Sequence, residues 1–275
     1  MKPRIGGFRL VPSNSAISAE NALFIGVVDL YEFGYREIRA FARRVLSSLA
    51  GAASEVRHIA TTVHGAGYGL DEIEAFDAEV AGFLDAIGSG DVPRLLERIT
   101  IIERNPGRVE RLSPILEELY PGTAPYKIST TNQKATDERL RAAGYASDAK
   151  PHVFVAMPFT SELDDTYHYG IQNAVRTAGF VCERADLATF VGDVMQWVQN
   201  RIRTSSLVVA DLTDANPNVY LEVGYAWGCG VPVVLLTQAT THLKFDVRGQ
   251  RCLVYGSIRE LEKSLRAELE NLRAK

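Results

Sequence analysis

Between Asp214 and Lys244 the chain carries one formally charged side chain, Glu222, inside the run Asn216-Pro-Asn-Val-Tyr-Leu-Glu-Val-Gly-Tyr-Ala-Trp-Gly-Cys-Gly230. A carboxylate is costly to bury in such apolar company. Either it faces water as an ordinary helix glutamate, or some chemistry requires it there. A fixed carboxylate can serve as a nucleophile or stabilise a developing cation, which makes Glu222 the leading catalytic candidate. Asn216 is a good helix N-cap and Pro217 suits the first helical position, so Glu222 falls in the second turn. Asn218, four residues before it, and Tyr225, three after, share its face. Val219, Val223 and Ala226 form the neighbouring apolar stripe. Gly224 and Gly228 admit close approach of a backbone, a ligand or a supporting sheet.

The elements that must position this helix follow from hydrophobic periodicity. From Pro151 onward, apolar strands (Val153–Met157, Phe180–Glu183, Leu207–Asp211, Val231–Thr237, Arg251–Tyr255) alternate with helices (Asp165–Ala178, Asp193–Arg203, Pro217–Cys229, Ile258–Arg273). Continuous apolar strands separated by helices predict a parallel sheet covered on both faces, here a five-stranded, flavodoxin-like, doubly wound α/β domain. The N-terminal part predicts a mixed α/β domain: strands at Gly6–Val11, Ala22–Asp29, Glu55–Val63 and Ile99–Glu103, with helices at Tyr35–Leu49, Asp71–Ile87 and Arg108–Leu119. The composition between them shifts to Pro, Thr, Gly, Lys and Asn, with one charged helical piece around Thr136–Ala143. The expected division is therefore a domain over 1–122, a linker over 123–149 and a second domain over 150–275.

In such sheets ligands sit beyond the carboxyl ends of the strands. Three loops should converge there. The first carries Met157, Pro158 and Phe159; the second runs from Arg184 to Asp186 and on to Asp193; the third runs from Asp211 to Asn216. Arg184 has the geometry to grip a phosphate with two parallel hydrogen bonds, or to make a surface ion pair. Asp211 could orient sugar hydroxyls or cap its own loop.

Val153-Phe-Val-Ala-Met-Pro-Phe159, Asp211-Leu-Thr213 and Asn216-Pro-Asn-Val-Tyr-Leu-Glu-Val-Gly-Tyr-Ala226 resemble the nucleoside 2-deoxyribosyltransferase-like superfamily, which is related in fold to Toll/interleukin-receptor-type NAD glycohydrolases. The resemblance spans roughly residues 150–256. It implies that Glu222 attacks the anomeric carbon of a nucleoside, nucleotide or NAD and releases the base, leaving a glycosyl-enzyme for water or another base to resolve. The chain departs from the pattern at two acids. Asn216 stands where the family carries an acidic residue six positions before the nucleophile, and Val198 or a close neighbour stands where it carries an aspartate in the preceding helix. Asp211 and Asp186, or else Asp193 or Asp214, are the acids left to assist, and hydrolysis is expected at least as much as base exchange. Met157, Pro158, Phe159, Arg184, Asp193, Asn216, Asn218 and Tyr225 are the expected substrate contacts.

In the N-terminal part, His64-Gly-Ala-Gly-Tyr-Gly69 follows a strand and precedes a helix, the context of a backbone cradle for phosphates. His64, Gly65, Gly67, Tyr68 and Gly69 are the candidate ligand-sensing residues, with a tight turn that binds nothing as the alternative. The loop is loosely similar to that of macro-type ADP-ribose-binding domains, which implies a nucleotide-type activator. A recognition module fused to a nucleotide-destroying domain resembles the layout of bacterial anti-phage effectors and implies an assembly of like chains. A non-catalytic nucleotide sensor and a nucleotide-salvage transferase are the alternative readings.

Composition narrows the remaining classes. A net charge of -4 speaks against a generic nucleic-acid partner. The apolar runs are too interrupted to span a bilayer, and Met1-Lys-Pro-Arg4 opens no secretory leader, so a cytoplasmic protein is expected. His58, His64, His152, His168 and His242 show no metal-ligand spacing, and neither metal nor cofactor is expected. Cys182, Cys229 and Cys252 read as small core residues in a reducing compartment.

Overall fold

Val-, Leu- and Phe-rich strands with no charged residue inside them can only be satisfied between two layers. The computed structural model, which describes residues 3–119, 130–185 and 194–274, has that arrangement in its C-terminal part. The chain divides into two compact units, one comprising 1–66 and 72–148, the other 67–71 and 149–275. It is a mixed α/β protein, and among the described residues no helix is long and apolar enough to cross a membrane.

Unit 1 starts with an antiparallel pair, β1 (Phe8–Pro12) and β2 (Asn21–Ile25), in which Phe8 lies opposite Ile25. Helix α1 (Tyr35–Ala52) is followed by β3 (His58–Thr62), α2 (Glu72–Ser89) and β4 (Arg98–Ile102). β3 and β4 pair in parallel, so α2 is the crossover that parallel strands require. α1 and α2 cross closely at Gly82, where a Cβ would come within 2.2 Å of the Arg39 carbonyl oxygen. Ala42, Val45, Leu46 and Leu49 of α1 meet Phe83 and Ala86 of α2 and Ile59 of β3 in one core. α3 (Pro106–Leu119) follows β4 and contributes Leu112 and Leu119 to a second cluster with Phe76 and Val80.

The stretch expected as a linker holds two helices, α4 (Thr130–Ala142) and α5 (Tyr145–Ala149). α4 contains the charged helical piece expected around Thr136–Ala143 and starts earlier, and it is fastened by charge as well as by Leu140 against the Phe76 cluster. Arg139 pairs with Asp77 of α2 at 2.6 Å. The buried Arg39 donates to the carbonyls of Leu140 (3.0 Å), Arg141 (3.0 Å) and Ala143 (2.6 Å), closing the C-terminal end of α4, and forks onto Asp85. A cation at a helix C-terminus also meets the negative end of its dipole.

Unit 2 is built on a five-stranded, all-parallel sheet formed by β5 (His152–Ala156), β6 (Val181–Glu183), β7 (Leu207–Asp211), β8 (Val233–Thr237) and β9 (Cys252–Val254), in the spatial order β6-β5-β7-β8-β9. Alternation along β5 sends Val153 and Val155 to one face and Phe154 and Ala156 to the other. The first face is covered by a π-helical stretch, Thr166–Gln172, that runs on into α6 (Asn173–Thr177), and by Leu261, Leu265 and Leu269 of α10 (Ile258–Arg273). The second is covered by α7 (Val194–Thr204) and α8 (Pro217–Gly228), with Val247 of the short α9 (Phe245–Arg248) at the edge. The ordinary α-helix expected over Asp165–Ala178 is thus partly π-helical.

Arg39 is the clearest single dependency in unit 1. Arg39→Met leaves Asp85 unpaired and three carbonyls without a donor, so urea unfolding should show a loss on the order of 3 kcal/mol. Arg39→Lys should recover only part of it, because an ammonium lacks the planar fork.

Candidate functional site

The carboxyl edge of the unit 2 sheet is where its polar side chains gather. Asp211 ends β7 fully buried. Its Oδ2 accepts from the Tyr255 hydroxyl at 2.6 Å and its Oδ1 from the Thr213 N–H at 2.9 Å. Gln238 joins the group: its Nε2 lies 3.4 Å from the Tyr255 hydroxyl, and its backbone N–H donates to Thr213 Oγ1 at 3.2 Å. Burial and the adjacent Asp211 carboxylate push the Tyr255 phenol well above its usual range, so Tyr255 stays a neutral donor. Both Asp211 oxygens are therefore taken up by the loop and by Tyr255.

That loop turns through two consecutive left-handed residues, Asp214 (φ 64°) and Ala215 (φ 49°), before α8 begins. Alanine seldom occupies this region, so the turn is held by its surroundings. Asn216 caps α8, its Oδ1 accepting from the Asn218 N–H at 2.9 Å. The Asn216 side chain thus has a capping role, and the Asn218 side chain is exposed.

α8 lies over β5, β7 and β8 and packs beside α7. Val219, Val223 and Ala226 are buried against the sheet, as the stripe requires. Glu222 sits at the border of that stripe, about 7 Å along the helix axis from its start. Burial and the neighbouring Cys229 side chain push the Tyr225 phenol, three residues on, above its usual range, and the positive charge of Arg203 opposes them. Glu222 is half-buried, and no hydrogen bond or ion pair to it occurs among the described residues. Burial lifts its carboxyl to about 7.

Gly224 and Gly228 do not serve close packing. A Cβ at either would meet nothing within 4 Å, and both lie on the exposed side of α8. Cys229 is exposed rather than a core residue, because it falls at the C-cap, past the last buried turn. Cys182 is buried, as expected, and Cys252 partly so.

Met157, Phe159 and Arg184 come together. Arg184 follows β6, and its Nη1 lies 3.7 Å from Met157 Sδ. Its guanidinium carbon is 4.8 Å from the Phe159 ring centroid and 3.7 Å from that of Tyr167. Met157 and Pro158 are buried, whereas Phe159 is 43% exposed. The expected acids Asp186 and Asp193 lie outside the described residues.

The glycine-rich segment is divided. His64 and Gly65 belong to unit 1, where the fully buried Glu79 accepts from the His64 backbone N–H (2.9 Å) and lies 3.1 Å from its Nδ1. Gly67, Tyr68 and Gly69 belong to unit 2. Gly69 has a φ of 94°, and a Cβ there would fall 2.2 Å from the Trp197 ring, so both backbone and packing demand glycine. Its carbonyl accepts the Arg184 N–H at 3.2 Å. Asp71 is buried, its Oδ2 accepting from the Cys182 N–H at 3.3 Å and lying 3.9 Å from Arg176.

Sequence reasoning missed Tyr255, Tyr167, Glu79 and the buried Glu183, which lies 3.8 Å from His152 and 3.5 Å from Arg201. The available signal was position: Glu183, Asp211, Thr237 and Tyr255 all stand at or just after strand carboxyl ends. Among the described residues no group of His, Cys, Asp and Glu could hold a metal ion. No protein-family model matches the chain, and no curated protein matches it.

The Glu222 carboxyl gives a test that needs no substrate. Folded it titrates near 7, against an ordinary 4.5. Across that window the folded state keeps a proton that the unfolded state has released, so stability falls as pH rises. Glu222→Gln removes the loss. Urea melts should show the variant more stable than the parent at pH 8, by about 1–2 kcal/mol, and equal to it at pH 4.

Proposed function

We propose that unit 2 is an N-glycosidase that cleaves the bond between base and sugar in a nucleotide, a nucleoside or NAD, with Glu222 as the nucleophile. The single observation that carries this reading is a half-buried carboxylate, with no partner among the described residues, near the start of a helix at the carboxyl edge of a parallel sheet. The strand order supports a flavodoxin-like sheet: numbered within the unit it runs 2-1-3-4-5, with its switch point between β5 and β7. The motifs Val153–Phe159 and Asn216–Ala226, which resemble the deoxyribosyltransferase-like superfamily, flank that point.

Glycosidic cleavage passes through an oxocarbenium-like state. An ionised Glu222 beside the anomeric carbon stabilises that charge and then bonds to the carbon as the base departs. Apolar surroundings strengthen the attraction. Water completes hydrolysis by releasing the sugar from the ester and freeing the carboxylate.

Two observations favour a second reading, a nucleotide sensor without catalysis. Asp211 is committed to Tyr255 and Thr213, and Asn216 to its cap, so neither supplies the second acid that the family pattern carries.

Incubation with NAD, nucleoside monophosphates and deoxynucleosides, followed by chromatography for free base, separates the two. Base release should appear with at least one substrate and fall by at least about a thousandfold in Glu222→Gln. Because only the carboxylate attacks, the rate should climb about tenfold per pH unit below 7 and level off above it. Intact substrates throughout, with the protein folded, would leave the sensor reading standing.

A further inference from the structure

We propose that Arg184 recognises a phosphate group, so that the substrate class of this site is the 5′-phosphorylated nucleoside rather than the free nucleoside; the inference rests on the N-glycosidase reading above. Every other arginine that is buried or half-buried among the described residues pairs with a carboxylate: Arg39 with Asp85, Arg108 and Arg111 with Glu72, Arg139 with Asp77, Arg176 with Asp71, Arg201 with Glu183 and Arg266 with Glu262. Arg184 is half-buried and has no carboxylate within ion-pair distance among those residues. A partly desolvated guanidinium calls for an anion, and the described residues supply none.

Its geometry indicates what that anion is. The Tyr167 and Phe159 rings lie against the guanidinium at 3.7 Å and 4.8 Å, and the backbone N–H is tied to the Gly69 carbonyl. Both ring contacts are cation–π contacts, which hold the cation at this place. Apart from a weak contact to Met157 Sδ at 3.7 Å, the guanidinium N–H groups have no acceptor among the described residues. A guanidinium seated against aromatic rings with its N–H groups unclaimed can make two parallel hydrogen bonds to a phosphate. It also stands beside the residues that follow β5, on one side of the switch point where ligands of such sheets lie. The exposed Phe159 ring shows that this corner is open to solvent. A nucleoside monophosphate and the pyrophosphate of NAD offer the same chemistry.

The test uses Glu222→Gln protein, which holds ligand without turning it over. Calorimetry would compare the four common nucleoside 5′-monophosphates, the matching nucleosides and NAD. A phosphorylated ligand should bind at least tenfold more tightly than its nucleoside, and adding Arg184→Gln should abolish that preference while leaving nucleoside affinity unchanged. Arg184→Lys, which keeps the charge and loses the fork, should retain an intermediate preference and serves if the glutamine variant does not fold. Comparison of NAD with the monophosphates tells which source of phosphate the residue takes. A parent that binds no phosphorylated ligand or shows no preference, or variants that keep the parent's ratio, would overturn the inference. Base release by the wild type keeps the two readings apart. Equal turnover of nucleoside and nucleotide sinks this inference alone, whereas selective binding without any base release sinks the glycosidase alone.

Discussion

A carboxylate with no exposure to water has to be satisfied by donors, and Asp211 shows how much of unit 2 follows from that requirement. One of its oxygens takes the Tyr255 hydroxyl, which ties the end of β7 to the residue beyond β9, two strands away. The other takes the Thr213 N–H and bends the chain into the left-handed turn at Asp214 and Ala215. The turn delivers Asn216 to its cap, the cap starts α8, and α8 carries Glu222. The position of the one charged side chain in that helix is thus set by a pair of hydrogen bonds some eleven residues earlier in the sequence. Since Tyr255 remains neutral well above its usual range, the arrangement does not loosen as pH rises through neutrality.

Unit 1 solves a similar problem with ion pairs. Glu72 is held by Arg108 and Arg111, Asp77 by Arg139, and Glu79 by the backbone and ring of His64. All three acids lie on α2, a helix whose other buried residues are apolar. Pairs of this kind add little net stability over a hydrophobic replacement, but leaving one partner alone is expensive. They therefore fix which segments must lie against α2, and α4 is among them.

The parallel sheet and its order of elements were legible because strand and helix periods alternate cleanly from Val153 to Arg273. The cap at Asn216 and the second-turn placement of Glu222 were legible because Asn-Pro before an apolar stripe has few other meanings. What stayed hidden was of two kinds. Helix α4 has no apolar stripe, since cations from α1 and its own Arg139 help to hold it, so only its charged piece around Thr136–Ala143 was marked and its start at Thr130 was not. The partners of Asp211, His64 and Arg184 come from elements 44, 15 and 17 residues distant, and a linear reading does not pair them. Gly224 and Gly228 misled in the opposite direction: their spacing suggests packing, yet both face open space.

The division of the glycine-rich segment bears on how this chain can be cut. Five residues, Gly67 to Asp71, are counted with unit 2 although almost eighty residues separate them from the rest of it. A fragment beginning at Ala149 would keep every strand of the parallel sheet and still be incomplete. Cys182 and Arg184 would lose the acceptors of their backbone N–H groups, and Trp197 would lose the glycine seated against its ring. The second unit is thus completed by five residues encoded in the first half of the gene, and a cut at the apparent boundary removes them.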